Sequence, residues 1–146
     1  MEDYIKYEIP AFNIKFQYPE WWEDKIEHEN TYLFWDEYTG SFRITPISIT
    51  SQGFDPEQFL ENRFQENAKS NPEWKTYNGR KFLYYETLSE KDGDITKLHF
   101  YLSGKGNTLI TCSFAYGNEL LEDEYSNDEV EGALEEVENL LHSLTL

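Results

Sequence analysis

Large apolar residues fall on every second position at Phe12, Ile14, Phe16 and Tyr18; Pro19 then closes the run, and Trp21 and Trp22 follow. A period of two puts one set of side chains on a single buried face of a strand. The proline says that this strand leaves its sheet abruptly and drops bulky rings onto the core. Neighbouring residues on a strand or turn point different ways, so at most one tryptophan is expected in the core and the other is a candidate exposed anchor. The constraint is architectural and names no substrate.

The rest of the chain fills in that architecture. The first strand is expected over 11–18, followed by a polar stretch with Glu23, Asp24, Glu27 and Glu29. A second strand, 31–36, leads through Tyr38-Thr39-Gly40-Ser41 into a third, 41–50, where Pro46 separates two parities of isoleucine and predicts a bulge. Asp55-Pro56 starts a helix, with Gln58 placed to reach back as in a capping box and a stripe of Leu60, Phe64 and Ala68 beside Phe59; Asn71-Pro72 ends it after Ser70. Asn78-Gly79, Lys91-Asp92-Gly93-Asp94 and 103–107 then punctuate four strands into an antiparallel meander. After an acidic loop at 117–125, a last helix is expected from Ser126 with Glu129 completing its cap, on the stripe Val130, Ala133/Leu134, Val137, Leu140/Leu141 and Leu144. The order β-β-β-α-β-β-β-β-α predicts a single α+β domain over 1–146, a largely antiparallel sheet with helices packed on it.

This order resembles the PsbP-like fold, shared by the photosystem extrinsic subunit of that name, the Mog family of Ran-release factors, and bacterial relatives that include chaperones of type VI secretion effectors. Phe12, Ile14, Phe16, Tyr18-Pro19, Trp21/Trp22 and the amphipathic C-terminal helix carry the resemblance, which covers residues 10–145. The chain also looks like a small bacterial family of unknown function with the same architecture. The resemblance implies a fold and carries no catalytic residue across.

Charge narrows the partners. Of the net −17, residues 106–146 supply ten acids and no lysine or arginine. Such a field repels nucleic-acid phosphates and anionic membranes and attracts a basic protein. No apolar run approaches the roughly 20 residues that span a membrane. The N-terminus lacks a signal-peptide pattern, and the one cysteine, Cys112, makes no internal disulfide; together these predict a cytoplasmic protein.

Catalytic and metal patterns are missing. His28, His99 and His142 lie on separate elements without zinc-ligand spacing, so no metal or cofactor is expected. His99 alternates with Lys97 and Tyr101, which predicts the more polar sheet face; His142 falls in the last turn of the final helix, where a cation is favourable. Cys112 shares the parity of Ile110 and Phe114 and reads as a small buried hydrophobe. Gly104-Lys105-Gly106-Asn107 leads into a strand and lacks the Walker spacing, so it is a hairpin turn.

Two functions are therefore expected to compete. The first is a non-enzymatic module that binds a basic protein, as an immunity protein or effector chaperone would. Its contacts are Trp21, Trp22, Glu122, Asp123, Glu124, Asp128 and the outward helix acids Glu131, Glu135 and Glu138. The alternative is a small-ligand-binding domain whose pocket is lined by Trp21, Trp22 and Trp35 with Tyr84 and Tyr101.

Overall fold

A computed structural model describes residues 3–28, 30–36 and 39–146. The alternating run does form a strand, but it is the second one. β1 (Tyr4–Ile9) pairs antiparallel with β2 (Ile14–Pro19), from Tyr4↔Pro19 to Ile9↔Ile14, as a separate two-stranded sheet. Ile14, Phe16 and Tyr18 are buried as their period requires. Phe12 is not on the strand: Pro10–Phe12 is a 3-10 turn, closed by Asn13 in the left-handed region at φ 56°. Pro10 fixes a φ suited to that turn and offers no ladder donor.

The main sheet has seven strands. β3 (Glu23–His28), β4 (Thr31–Trp35) and β5 (Ser41–Ser48) form one flank; β6 (Glu73–Tyr77), β7 (Arg80–Lys91), β8 (Asp94–Lys105) and β9 (Thr108–Gly117) form the other. The order is β3-β4-β5-β9-β8-β7-β6, every pairing antiparallel. β3 is the stretch read from the sequence only as polar; its charges are those of an exposed edge strand, which blunts pairing with other chains. Glu29 and Tyr38, in the expected polar stretch and turn, lie outside the described residues. The expected bulge at Pro46 does not form. The β5–β9 register runs unbroken through Pro46↔Ile110, and Phe42, Ile44 and Pro46 share the buried face while Ile47 is exposed. The β4 register ends at Tyr32↔Ile44, so nothing on that side needs a donor from the proline.

Two helices cover opposite faces. α1 (Pro56–Glu66) is capped by Asp55, whose side chain accepts from the Glu57 amide at 3.0 Å. Gln58 donates to Asn62 instead of reaching back, so the cap is a single acceptor and not a box. The helix stops four residues early, and Ala68 is exposed in a following 3-10 turn (Ala68–Ser70). Leu60 packs with Leu83, Tyr85 and Leu102 in the smaller core, flanked by Phe59, Phe64 and Trp74. α2 (Glu124–Ser143), entered through a 3-10 turn at Asn118–Glu122, lies over the other face beside the β1–β2 hairpin. There Val130, Val137, Leu140 and Leu141 join Phe34, Phe42, Phe82 and Phe114 in the main core. No helix among the described residues is long and apolar enough to cross a membrane.

The close approach of the β4–β5 connection to β9 depends on Gly40. A Cβ there would meet the Ala115 carbonyl oxygen at 2.4 Å, and backbone cannot step aside. Gly40→Ala is expected to destabilise the fold by about 1–3 kcal/mol, read from the urea midpoint.

Candidate functional site

The acidic third of the chain is organised by α2. Asp123 caps the helix, its carboxylate accepting from the Ser126 amide at 3.0 Å. This corrects the expected cap at Ser126: the helix begins two residues earlier, and Glu129 completes no box. Asp123 therefore has a structural duty, and Glu124 in the first turn also complements the helix dipole. Positions 124, 128, 131, 135 and 138 step by four and three, which aligns Glu124, Asp128, Glu131, Glu135 and Glu138 along one flank. Glu122, Asp123 and the first four of these are exposed; Glu138 is half-buried toward β6. Burial chiefly, with the charge of Glu138 added, pushes the Tyr77 and Tyr101 hydroxyls well above their ordinary range. The other flank meets the hairpin: Tyr4 donates to the Glu136 carboxylate at 2.9 Å, and Ser143 accepts from the Gln17 amide at 2.9 Å. Among the described residues the ion pairs are Arg43–Glu27, Arg63–Glu66 and Lys97–Glu86, with His99 3.8 Å from Glu86; none neutralises an acid of α2.

The tryptophans part as adjacent residues must. Trp22 is 5% exposed within the main core, while Trp21 is 55% exposed at the turn between β2 and β3. That turn lies on the hairpin side of α2, so the structure does not bring Trp21 to the acidic flank. The aromatic-pocket grouping also fails. Trp22, Tyr84 and Tyr101 are packed into the main core, Trp21 stands in solvent, and Trp35 points to the opposite sheet face beside Lys25.

A different cluster sits where sequence reasoning placed little. His99 faces the main core and is 5% exposed, not on a polar face. Register makes the site: Glu86 lies opposite His99, Tyr84 opposite Tyr101, and Lys97 opposite Tyr116. The Tyr84 hydroxyl is 2.6 Å from Glu86 Oε2 and 2.7 Å from His99 Nδ1; His99 Nε2 is 2.9 Å from the Tyr116 hydroxyl. A carboxylate only accepts, so Tyr84 donates to Glu86 and accepts from His99 Nδ1–H. That assigns the tautomer: Nε2 is the acceptor, and Tyr116 donates to it. Protons thus line up from Tyr116 through His99 and Tyr84 to Glu86, where Lys97 Nζ closes the chain at 2.9 Å from Oε1. Lys75 Nζ lies 4.1 Å from the centroid of the Tyr84 ring.

Burial holds the His99 imidazole below its ordinary 6.5; Glu86 pulls it up, and Lys97 and Lys75 push it further down. Burial raises the Glu86 carboxyl, but hydrogen bonds from Tyr84 and Lys97 with the nearby His99 outweigh it and leave the group below its usual value. Burial, then Glu86, pushes the Tyr116 hydroxyl up to about 12. The cluster is a closed latch across β7, β8 and β9, with Glu86 and Lys97 at its outer end. There a cleft of about 650 Å³ opens, also lined by Lys69, Asn71, Thr87 and Leu88. Elsewhere, burial pushes the Cys112 thiol well above its ordinary range, and His142 stands edge-on to Tyr77 at 5.0 Å in the last turn of α2. Among the described residues no three His, Cys, Asp or Glu side chains are grouped to hold a metal ion.

Comparison with known proteins agrees with the architecture. The chain belongs to a family described as a domain of unknown function, DUF3805, which matches residues 2–138. A crystal structure from Bacteroides thetaiotaomicron VPI-5482 superposes with a TM-score of 0.74 at 20% identity; the match covers 96% of this chain and 47% of that one, so this chain spans about half its length. The cyanobacterial PsbP protein CyanoP of Synechocystis sp. PCC 6803 matches with a TM-score of 0.58 at 13% identity over 100% of this chain and 94% of its own. The Ran-binding protein Mog1p of Saccharomyces cerevisiae matches with a TM-score of 0.58 at 9% identity over 97% and 94%. No curated protein matches. At these identities the likeness is one of fold, and the fold is PsbP-like.

Proposed function

We propose that this chain is a non-catalytic protein-binding module, cytoplasmic in a bacterium, that receives a basic partner on the outward flank of α2, in the manner of an immunity protein or effector chaperone. The observation that carries this reading is the row Glu124, Asp128, Glu131 and Glu135, exposed along one helix flank with no cation opposite any of them among the described residues. Like charges four apart on a helix cost about 0.2–0.5 kcal/mol per pair. A partner that supplies the missing cations relieves that repulsion and gains in association rate and specificity. The fold neighbour Mog1p is a Ran-binding protein, which supports protein recognition on this scaffold. The His99 latch fits the same role, because it locks β7, β8 and β9 into one rigid platform.

The test is affinity capture from native lysate at low ionic strength. A stoichiometric partner of basic isoelectric point is expected, released as salt rises through about 0.1–0.5 M, because screening shortens the reach of these charges. No stoichiometric partner, or one whose retention ignores salt, would sink the reading.

A further inference from the structure

The β7–β8 hairpin outgrows its sheet. β6 meets β7 only as far as Glu73↔Tyr84, with Pro72 directly before it, and β9 meets β8 only as far as Gly117↔Thr96. From Tyr85 to Lys91 the outer edge of β7 therefore has no partner strand among the described residues, although the 3-10 turn Ala68–Ser70 packs on β7 at the start of this stretch. The cleft described above occupies the place a continued β6 would take, between Lys69–Asn71 and β7. Its two lysines are matched in number by Glu73 and Glu86, and Lys97 is already paired to the latter.

The same end of the molecule exposes apolar side chains. Leu88 is 61% exposed and shares its sheet face with Glu86 and Glu90; Ile95, opposite Glu90, is exposed on that face too. The 3-10 turn after Gly117 packs on β8, with Leu120 half-buried against the main core and Leu121 outward, and Tyr125 in the first turn of α2 is 74% exposed. Residues 86–97 and 118–129 together carry ten acids against two lysines. Leu88 and Ile95 thus share one exposed face of the hairpin tip, and the segments around them are acidic, the combination of apolar centre and polar rim that interfaces use.

We propose that the free edge of β7, with Leu88 at its centre, is the docking strand for an extended basic segment of the partner protein, added antiparallel or parallel as an eighth strand. This rests on the protein-binding reading and gives the partner a pattern. Directly opposed side chains on one sheet face pair up. The segment therefore carries an apolar residue against Leu88 and a cation against Glu90, two positions apart and on one face.

Two synthetic peptides of equal composition separate the pattern from charge alone. Three repeats of Thr-Lys-Thr-Leu put lysine and leucine on the same face of a strand; three repeats of Thr-Thr-Lys-Leu put them on opposite faces. At about 0.15 M salt the first is expected to bind at least about tenfold tighter, with amide shifts centred on Tyr85–Lys91. In the variant Leu88→Ser/Ile95→Ser that advantage disappears; both side chains are exposed, so folding is not at issue. Equal affinities, or an advantage that survives the double substitution, overturn the docking strand. If both peptides also bind alike at low salt and weaken together when Asp128 and Glu135 are reversed, the acidic-flank reading stands without it. Binding of neither peptide at any salt removes both.

Discussion

Urea unfolding of the His99→Phe variant is expected to lose its difference from the parent chain as pH falls. At pH 8 the variant should be less stable by about 1–3 kcal/mol, because the buried Tyr116 hydroxyl is left without the Nε2 acceptor it donates to. Tyr84 keeps its bond to Glu86, so the inner end of the latch fails and the outer end survives. The parent carries the acid sensitivity. Its imidazole titrates near 6.5 when unfolded and lower when folded, so between those values the unfolded chain binds the extra proton. The stabilisation from neutral His99 is complete above about 6.5 and is lost as pH drops through the folded value, at up to about 1.4 kcal/mol per pH unit. The phenylalanine variant has no such group, so the two stability curves should converge on acidification. His28 and His142 are common to both proteins, so they drop out of the comparison. Curves that stay parallel from pH 8 to 5 would show that His99 is not the group responsible.

Much of the framework could be read from the chain because the signals were local. Asn78 and Gly79 both adopt positive φ in the β6–β7 turn, as do Asp92 and Gly93 in the β7–β8 turn; their residue types fit that geometry whatever surrounds them. The stripe Val130 to Leu141 needs only its period to declare a buried helix face. The missed elements lacked such signals. β3 is charged or polar at every position but Ile26, so it shows no alternation and its pairing to β4 makes it a strand; β1 alternates only over Ile5, Lys6, Tyr7, Glu8 and Ile9, a run cut at once by Pro10, and its pairing to β2 makes it one. His99 was misplaced for a related reason. Its alternation with Lys97 and Tyr101 was visible, but the sign of that face is set by β7 and β9 across the sheet. Only the register that sets Glu86 and Phe114 opposite His99, and brings Tyr84 and Tyr116 within reach, shows a buried polar network. The acidic flank was legible as composition and helical spacing; what composition left open was whether cations on other elements neutralise it.

Asp128→Lys/Glu135→Lys is expected to improve the fold and impair recognition together. The two reversals move the net charge from −17 to −13. They also place Glu124 four residues before a lysine, Glu131 four before another, and the new lysines three before Glu131 and Glu138. Each repulsive neighbour pair becomes attractive, and acid N-terminal to base is the better orientation at four residues. At about 0.2–0.5 kcal/mol per pair the variant should gain roughly 1 kcal/mol, seen as a higher urea midpoint with an unchanged slope. Asp128 and Glu135 lie beyond the first turn, so the helix dipole opposes this little. If acidity only keeps an aromatic-rich chain soluble, nothing else should change, since a net charge of −13 still repels other copies. If the flank receives a basic protein, association at low salt should slow by about 10-fold or more, and the gap should narrow as salt is added. Stopped-flow association with the captured partner and a urea melt on the same preparation decide between the two. A row of repulsive acids whose partial reversal stabilises the chain and costs it its partner is one maintained for binding, at the expense of stability.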